Sequence, residues 1–200
     1  MTQMTKGANL PVPADRLQVA VTWQHGPGVP GVDVSALLLD PSGRVRTDAD
    51  LVFYNHREHP SGTVRHLGKS GGPQDPTAAD WLQLDLHAVE PGIERIVVAA
   101  SADGGAFGQI PRLDIWVSLP DGRPVAAFAI GDATAETAFV FGEFYRRAGG
   151  WKFRAVGQGY ATGLAGLATD FGIAVEQAPA PVPLPVPPAP FDSPVAPFHS

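Results

Sequence analysis

The chain has 200 residues, with 21 prolines, 23 glycines, no cysteine and a formal net charge of −6. An apolar share of 44% against 17% charged residues supplies a core and excludes a wholly disordered chain, and the length fits one domain plus an appendage. The lack of cysteine excludes disulfide scaffolds, thiolate zinc sites and cysteine nucleophiles, while the acidic balance leaves no electrostatic footprint for nucleic acid.

Residues 1–13 carry one lysine and no apolar stretch long enough for a signal peptide, and the first three residues offer nothing recognisable. No apolar run approaches the roughly 20 residues of a membrane span, so a soluble, cytoplasmic protein is expected. Residues 17–23 alternate, with Leu17, Val19, Val21 and Trp23 on one face, which is the period of a strand. Apolar residues 34–40 follow, then a Pro41-Ser42-Gly43 turn and a strand over 51–55. Residues 81–86 alternate again, and 93–100, 112–119 and 124–130 read the same way, the last two joined by a Pro120-Asp121-Gly122 hairpin turn. Residues 134–158 resemble a helix at first sight. The shared parity of Phe139, Phe141 and Tyr145, the break at Ala148-Gly149-Gly150 and the renewed alternation of Trp151, Phe153 and Ala155 favour a hairpin instead. A single short helix is expected over 164–171, stopped by Gly172.

The expected fold is therefore all-β: a two-sheet β-sandwich over residues 5–176 with one short C-terminal helix. Nine of the 21 prolines fall in the last 23 residues, so 177–200 reads as a disordered proline-rich tail of polyproline II character. It is either a spacer or, with Phe191 and Phe198 as anchors, an adaptor segment for an aromatic-lined groove.

Motifs for chemistry are sparse. Gly62-Thr-Val-Arg-His-Leu-Gly68-Lys69-Ser70 approaches the phosphate-binding loop but has one residue too many, and the Gly-Gly-Pro that follows cannot open the required helix. A nucleotide- or metabolite-binding enzyme using Lys69 and Ser70 remains the competing reading. Gly157 to Gly163 misses the dinucleotide pattern by one residue. His56, His59 and His66 lie close in sequence, but with no fixed spacing they read as a solvated loop, not a metal centre. Neither a GxSxG elbow nor HExxH occurs, so no enzyme is demanded and no catalytic residue is assigned.

One set of strings is specific. Leu51-Val-Phe-Tyr-Asn55, Gly62-Thr-Val-Arg-His66, Glu136-Thr-Ala-Phe-Val-Phe-Gly-Glu-Phe-Tyr-Arg146 and Gly150-Trp-Lys-Phe-Arg-Ala-Val-Gly-Gln-Gly-Tyr160 resemble the TerD family of tellurium-resistance and stress-response proteins. Lys6 to Leu10 resembles its opening KGxN segment, and Val32 to Leu39 its DLDASAFLL strand. The resemblance implies a calcium-associated β-sandwich without established catalysis. It also implies a cytoplasmic or inner-membrane-surface location and action through the protein partners of a stress-response complex.

Departures from the family pattern bear on the metal. The acidic loop GDNxTGEGDGDDE is replaced by residues 68–80, with Lys69 at the aspartate of GD and Pro76, Ala78 and Ala79 at clustered carboxylates. Gly31 stands at the first aspartate of DLD and Ala129 at the aspartate of the xFDL strand. Asp33 and Asn55 persist and are the metal positions carried over. Asp40, Asp75 and Asp80 are the other oxygen donors in the neighbourhood. A hard cation wants six to eight oxygens, so Ca²⁺ affinity is expected to be reduced or lost. Trp151, Phe153, Phe141 and Tyr145 read as core and hairpin residues, and Arg146, Lys152 and Arg154 as a cationic strip for an acidic partner or anionic headgroups.

Overall fold

Alternating apolar residues build two six-stranded sheets in the computed structural model, which describes residues 1–13, 15–72 and 75–174. The strands are β1 (Thr2–Met4), β2 (Asn9–Val12), β3 (Arg16–Gln24), β4 (Gly31–Leu39), β5 (Leu51–Val52), β6 (Val64–Ser70), β7 (Thr77–Asp85), β8 (Arg95–Asp103), β9 (Leu113–Ser118), β10 (Pro124–Ile130), β11 (Ala138–Arg147) and β12 (Gly150–Tyr160), followed by helix α1 (Leu164–Phe171). Sheet one runs β1-β10-β9-β3-β7-β6 and sheet two β2-β12-β11-β8-β4-β5. The proline-rich tail and the upper end of the expected domain lie outside the described residues.

The inward residues of each strand form one core. Leu17, Val19, Val21 and Trp23 of β3 meet Val32, Val34, Ala36 and Leu38 of β4, with Phe144, Trp151 and Phe153 filling one end. Each such side chain removed from water contributes roughly 1.5–3 kcal/mol before entropy is charged against it. A second cluster joins Leu37, Leu39, Val97, Ala99, Ala138 and Val140 to Leu167 of α1. The helix thus covers the outer face of the middle of sheet two. This explains why Ala36 to Leu39 and Ile96 to Ala100 read as unbroken apolar runs: they are buried on both faces.

The hairpin reading of 134–158 holds. β11 and β12 pair antiparallel around a two-residue turn at Ala148 and Gly149, both at positive φ, the geometry that matches strand twist. Other elements depart from expectation. The strand at 51–55 stops at Val52, because Phe53 and His56 exchange backbone hydrogen bonds of 3.0 Å in each direction around Tyr54-Asn55. Thr2 to Met4, given no role by the sequence, pair parallel to β10 from Thr2 beside Ala126 to Met4 beside Phe128, and Met4 is buried. Residues 64–70, given no strand of their own from the sequence, are an edge strand with an irregularity between His66 and Gly68.

Gly142 lies at a register shift in β11, where a Cβ would fall 2.6 Å from the Phe153 ring and 2.9 Å from the Arg154 carbonyl oxygen. Neither neighbour can move without disturbing the core. Gly142→Ala is expected to cost about 1–3 kcal/mol, seen as a lower urea midpoint; an unchanged midpoint would show that the bulge relaxes freely.

Candidate functional site at the seam between the sheets

Because β5 is only two residues long, β4 is paired on that side at Ala36 and Leu37 alone, and from Gly31 to Ser35 its backbone is paired to β8 on one edge and has no strand partner on the other. A buried acid fills the gap. Asp80 of β7 is 1% exposed; its Oδ2 accepts the Val34 N–H at 2.9 Å and its Oδ1 the Trp81 N–H at 3.1 Å. His66 of β6 places Nε2 2.9 Å from Asp80 Oδ1 without hydrogen-bond alignment, and neither ring nitrogen has a hydrogen-bond partner among the described residues. Further out, Lys69 Nζ donates to Asp33 Oδ1 at 2.7 Å and ties β6 to β4.

The structure therefore does not gather the donors named from the sequence. Asp33 is held by Lys69, and each oxygen of Asp80 is taken by a backbone N–H. Asp40 accepts from Ser42 N–H and Oγ–H to close a turn, which outweighs desolvation and holds its carboxyl below the usual range. Asp75 accepts the Thr77 N–H at 2.9 Å. Asn55 is exposed at the tip of the 53–56 turn, and no hydrogen bond among the described residues joins it to Asp33. No cluster of three or more acidic or histidine side chains able to hold a metal exists among the described residues. The phosphate-loop reading also loses its geometry: Lys69 and Ser70 lie in an extended strand, and Ser70 Oγ accepts the Trp81 indole N–H at 2.9 Å.

Beside this seam lies a groove of about 370 Å³, walled by Phe53, Tyr54, Leu164, Leu167 and Ile173, with Asp33 at its rim. Tyr54 and Leu164 are 50% and 58% exposed, so the groove presents apolar surface to solvent.

The three histidines are not a solvated loop. His59 and His66 are buried and His56 half-buried, each with an oxygen close to a ring nitrogen. His56 Nδ1 donates to the Leu51 carbonyl at 2.7 Å. His59 Nε2 lies 3.0 Å from Oδ1 of Asp50, which is 2% exposed and also takes Arg46 Nε and Nη2 at 2.9 and 2.7 Å. Burial alone would raise the Asp50 pKa, but the hydrogen bonds from Arg46 and then His59 outweigh it and hold the carboxyl well below the ordinary range. The signal for such residues was present in the sequence: Asp80 shares the parity of Leu82 and Leu84, an acid on an inward face.

The cationic strip divides. Arg146 turns to the end of the sandwich, stacks 4.5 Å from the Trp151 ring and donates to the carbonyls of Ile93, Val89 and Glu90. Lys152 and Arg154 point outward, where Arg154 lies 4.8 Å from the Tyr145 ring and shares the largely buried Glu143 with Arg95. These cations occupy the part of the outer face that α1 leaves uncovered. The expected core role holds for Phe141, Phe153 and Trp151, whereas Tyr145 sits half-exposed on that outer face.

Asp50 sets an acid limit. Its folded pKa lies below the unfolded value of roughly 3.9, so its contribution is complete above that value and is lost as pH falls toward the folded pKa. Melting temperature is expected to drop between about pH 5 and pH 2, and to drop less steeply in Asp50→Asn; equal slopes would assign the acid sensitivity elsewhere.

The family profile described as the TerD domain matches residues 1–171. The chain is 39% identical over 149 residues to tellurium resistance protein TerD of Alcaligenes sp, covering 71% of this chain and 78% of that protein. It is 33% identical over 151 residues to general stress protein 16U of Bacillus subtilis (strain 168), covering 72% and 78%. A crystal structure described as a homologue of telluride resistance protein (TerD) from Streptomyces coelicolor A3(2) superposes with a TM-score of 0.60 at 22% identity, over 73% of this chain and 90% of that one, which shows the shared fold. With the two sheets, the C-terminal helix and the matched segment coinciding, the chain belongs to the TerD family of tellurium-resistance and stress-response proteins.

Proposed function

We propose that this chain is a non-enzymatic binding module of the tellurium-resistance and stress-response type, acting in the cytoplasm, in which a built-in ammonium stands where its relatives' pattern would place a calcium ligand. The observation that carries the reading is the 2.7 Å contact between Lys69 Nζ and Asp33 Oδ1. Lys69 removes a carboxylate, supplies a positive charge that repels a divalent ion, and occupies the one retained aspartate. Asn55 and backbone carbonyls are too few to offset that loss for a cation that prefers six to eight oxygens. Calcium binding is accordingly weakened or lost, and the seam is held by an internal ion pair. Asp33 is 31% and Lys69 46% exposed at the side chain, so the pair contributes about 0–1 kcal/mol.

Calorimetric titration of the folded protein with Ca²⁺ is expected to show no saturable site in the low micromolar range, and Lys69→Asp is expected to raise the affinity. Saturable micromolar binding by the unmodified chain would overturn the reading.

Partner binding is proposed to use the outward cations, as a contact for an acidic protein of a stress-response complex. Arg95, Lys152 and Arg154 present positive charge on a chain that is acidic overall. Arg146 is excluded from this surface by its carbonyl contacts. Reversing Lys152 and Arg154 together to Glu should abolish co-purification of acidic proteins recovered with the wild type; unchanged recovery at low salt would speak against this face. Recovery from anionic vesicles in place of protein would assign it to a membrane surface.

A further inference from the structure

The loop that follows the Asp50 and His59 pair carries a hydroxyl in an unusual setting. Ser61 is exposed, yet its Oγ lies 2.6 Å from Nδ1 of His59, an imidazole only 3% exposed. The ring's tautomer follows from its neighbours. The backbone N–H of Ser61, which can only donate, points at the same Nδ1 at 3.2 Å. Nδ1 is therefore the unprotonated acceptor nitrogen, Nε2 carries the hydrogen toward Asp50 Oδ1 at 3.0 Å, and the Ser61 Oγ–H donates to Nδ1. With its proton so directed, Ser61 Oγ accepts from Thr63 Oγ1–H at 2.8 Å and faces the Thr63 N–H at 3.4 Å.

An exposed hydroxyl, a buried imidazole and a buried carboxylate are thus joined in series. The carboxylate is fixed independently by three Arg46 donors, the backbone N–H, Nε–H and Nη2–H. It stays ionised and keeps the imidazole in the tautomer that accepts a proton from serine. This is the arrangement that activates a serine nucleophile, with the third group orienting the base. Here the ring nitrogens exchange the roles they hold in serine proteases. None of this belongs to the seam at Asp33 and Asp80.

We infer that Ser61 is an activated acyl acceptor, a covalent modification site for small activated carboxylic esters reaching it from solvent. In the step, Ser61 Oγ bonds to the acyl carbon as its proton passes to His59 Nδ1. The imidazolium is held by Asp50 through Nε2–H; the Thr63 N–H, the longer of the two contacts on Oγ at 3.4 Å, gives up the lone pair that bonds to carbon, and the negative charge passes to the acyl carbonyl oxygen, which solvent meets. Collapse of the tetrahedral adduct breaks the bond to the leaving oxygen, which takes the proton back from Nδ1–H. Ester and serine become acyl-serine and free alcohol or phenol, with no oxidant or further reactant. Ser61 lines neither the groove beside the seam nor the hollow around Arg154 and Glu143, and it is exposed, which suits a small acyl group arriving from solvent.

The test is acetylation of the folded chain by p-nitrophenyl acetate, with each serine's occupancy followed by peptide mass spectrometry. Ser42 is the internal reference, since it is exposed but bonded to the Asp40 carboxylate with no imidazole within the same network. General-base assistance is worth roughly 100-fold or more. Ser61 is therefore expected to acetylate about 100 times faster than Ser42, with the fast phase of p-nitrophenol release matching acetyl-Ser61 in rate and absent in Ser61→Ala. His59→Gln should bring the Ser61 rate down to that of Ser42. Equal rates at Ser61 and Ser42 in the wild type would overturn the inference and leave the network as a loop pin. That comparison decides the question even if the His59 variant fails to fold.

Discussion

A single buried carboxylate bridges the two sheets where their backbones cannot pair. Asp80 takes the Val34 N–H from sheet two while its own strand belongs to sheet one, and the position exists because β5 is too short to cover β4. Leaving that N–H without a partner in the interior would cost about 1–3 kcal/mol. Leaving the carboxylate unpaired would cost more, so the two groups are committed to each other once the sheets close. His66 sets its ring 2.9 Å from the same carboxylate, and Lys69 with Asp33 closes the same seam nearer to solvent. Packing fills the rest of the sandwich, whereas this polar column sets how β4 and β7 lie against each other.

That column also bears on what became of the metal positions. Donors that could have turned toward a cation have been given structural tasks: Asp80 to backbone, Asp33 to an ammonium, Asp40 and Asp75 to the turns that follow them. A carboxylate lone pair already engaged by an N–H or an ammonium is available to an ion only if that contact breaks. Lys69 occupies Asp33 in this way. Under the proposed reading the seam exchanges a demand for an external ion for a bond within the chain, and its integrity does not follow the free calcium concentration.

Much of the fold was legible because burial on one face leaves a period of two. β3, β7, β9 and β10 carry that signature, and the hairpin of β11 and β12 was separable from a helix by the parity of Phe139 and Phe141 and the turn glycines. β1 was not legible, since three residues cannot show a period and Thr2 and Gln3 are exposed. β6 was obscured because Gly62 before it and Gly68 within it resemble a phosphate loop until pairing with β7 is seen. The metal positions were read through likeness to relatives, and likeness cannot reveal that Lys69 reaches Asp33 across the seam. The buried histidines escaped because local sequence shows polarity but not the carboxylate that comes to meet each ring from another element.

The pairing of the N-terminal strands has a consequence for how the chain assembles. β1 lies in sheet one beside β10 and β2 in sheet two beside β12, with Thr2 opposite Ala126 and Val12 opposite Trp151. A dozen residues thus supply an edge to each sheet, and both edges wait for segments made far later in synthesis. Loop-closure entropy over such spans slows this kind of topology. Until β12 has emerged, the strands already synthesised hold apolar faces and open edges that a neighbouring nascent chain could pair with. The last hairpin to leave the ribosome is therefore the one that ends the protein's most aggregation-prone interval.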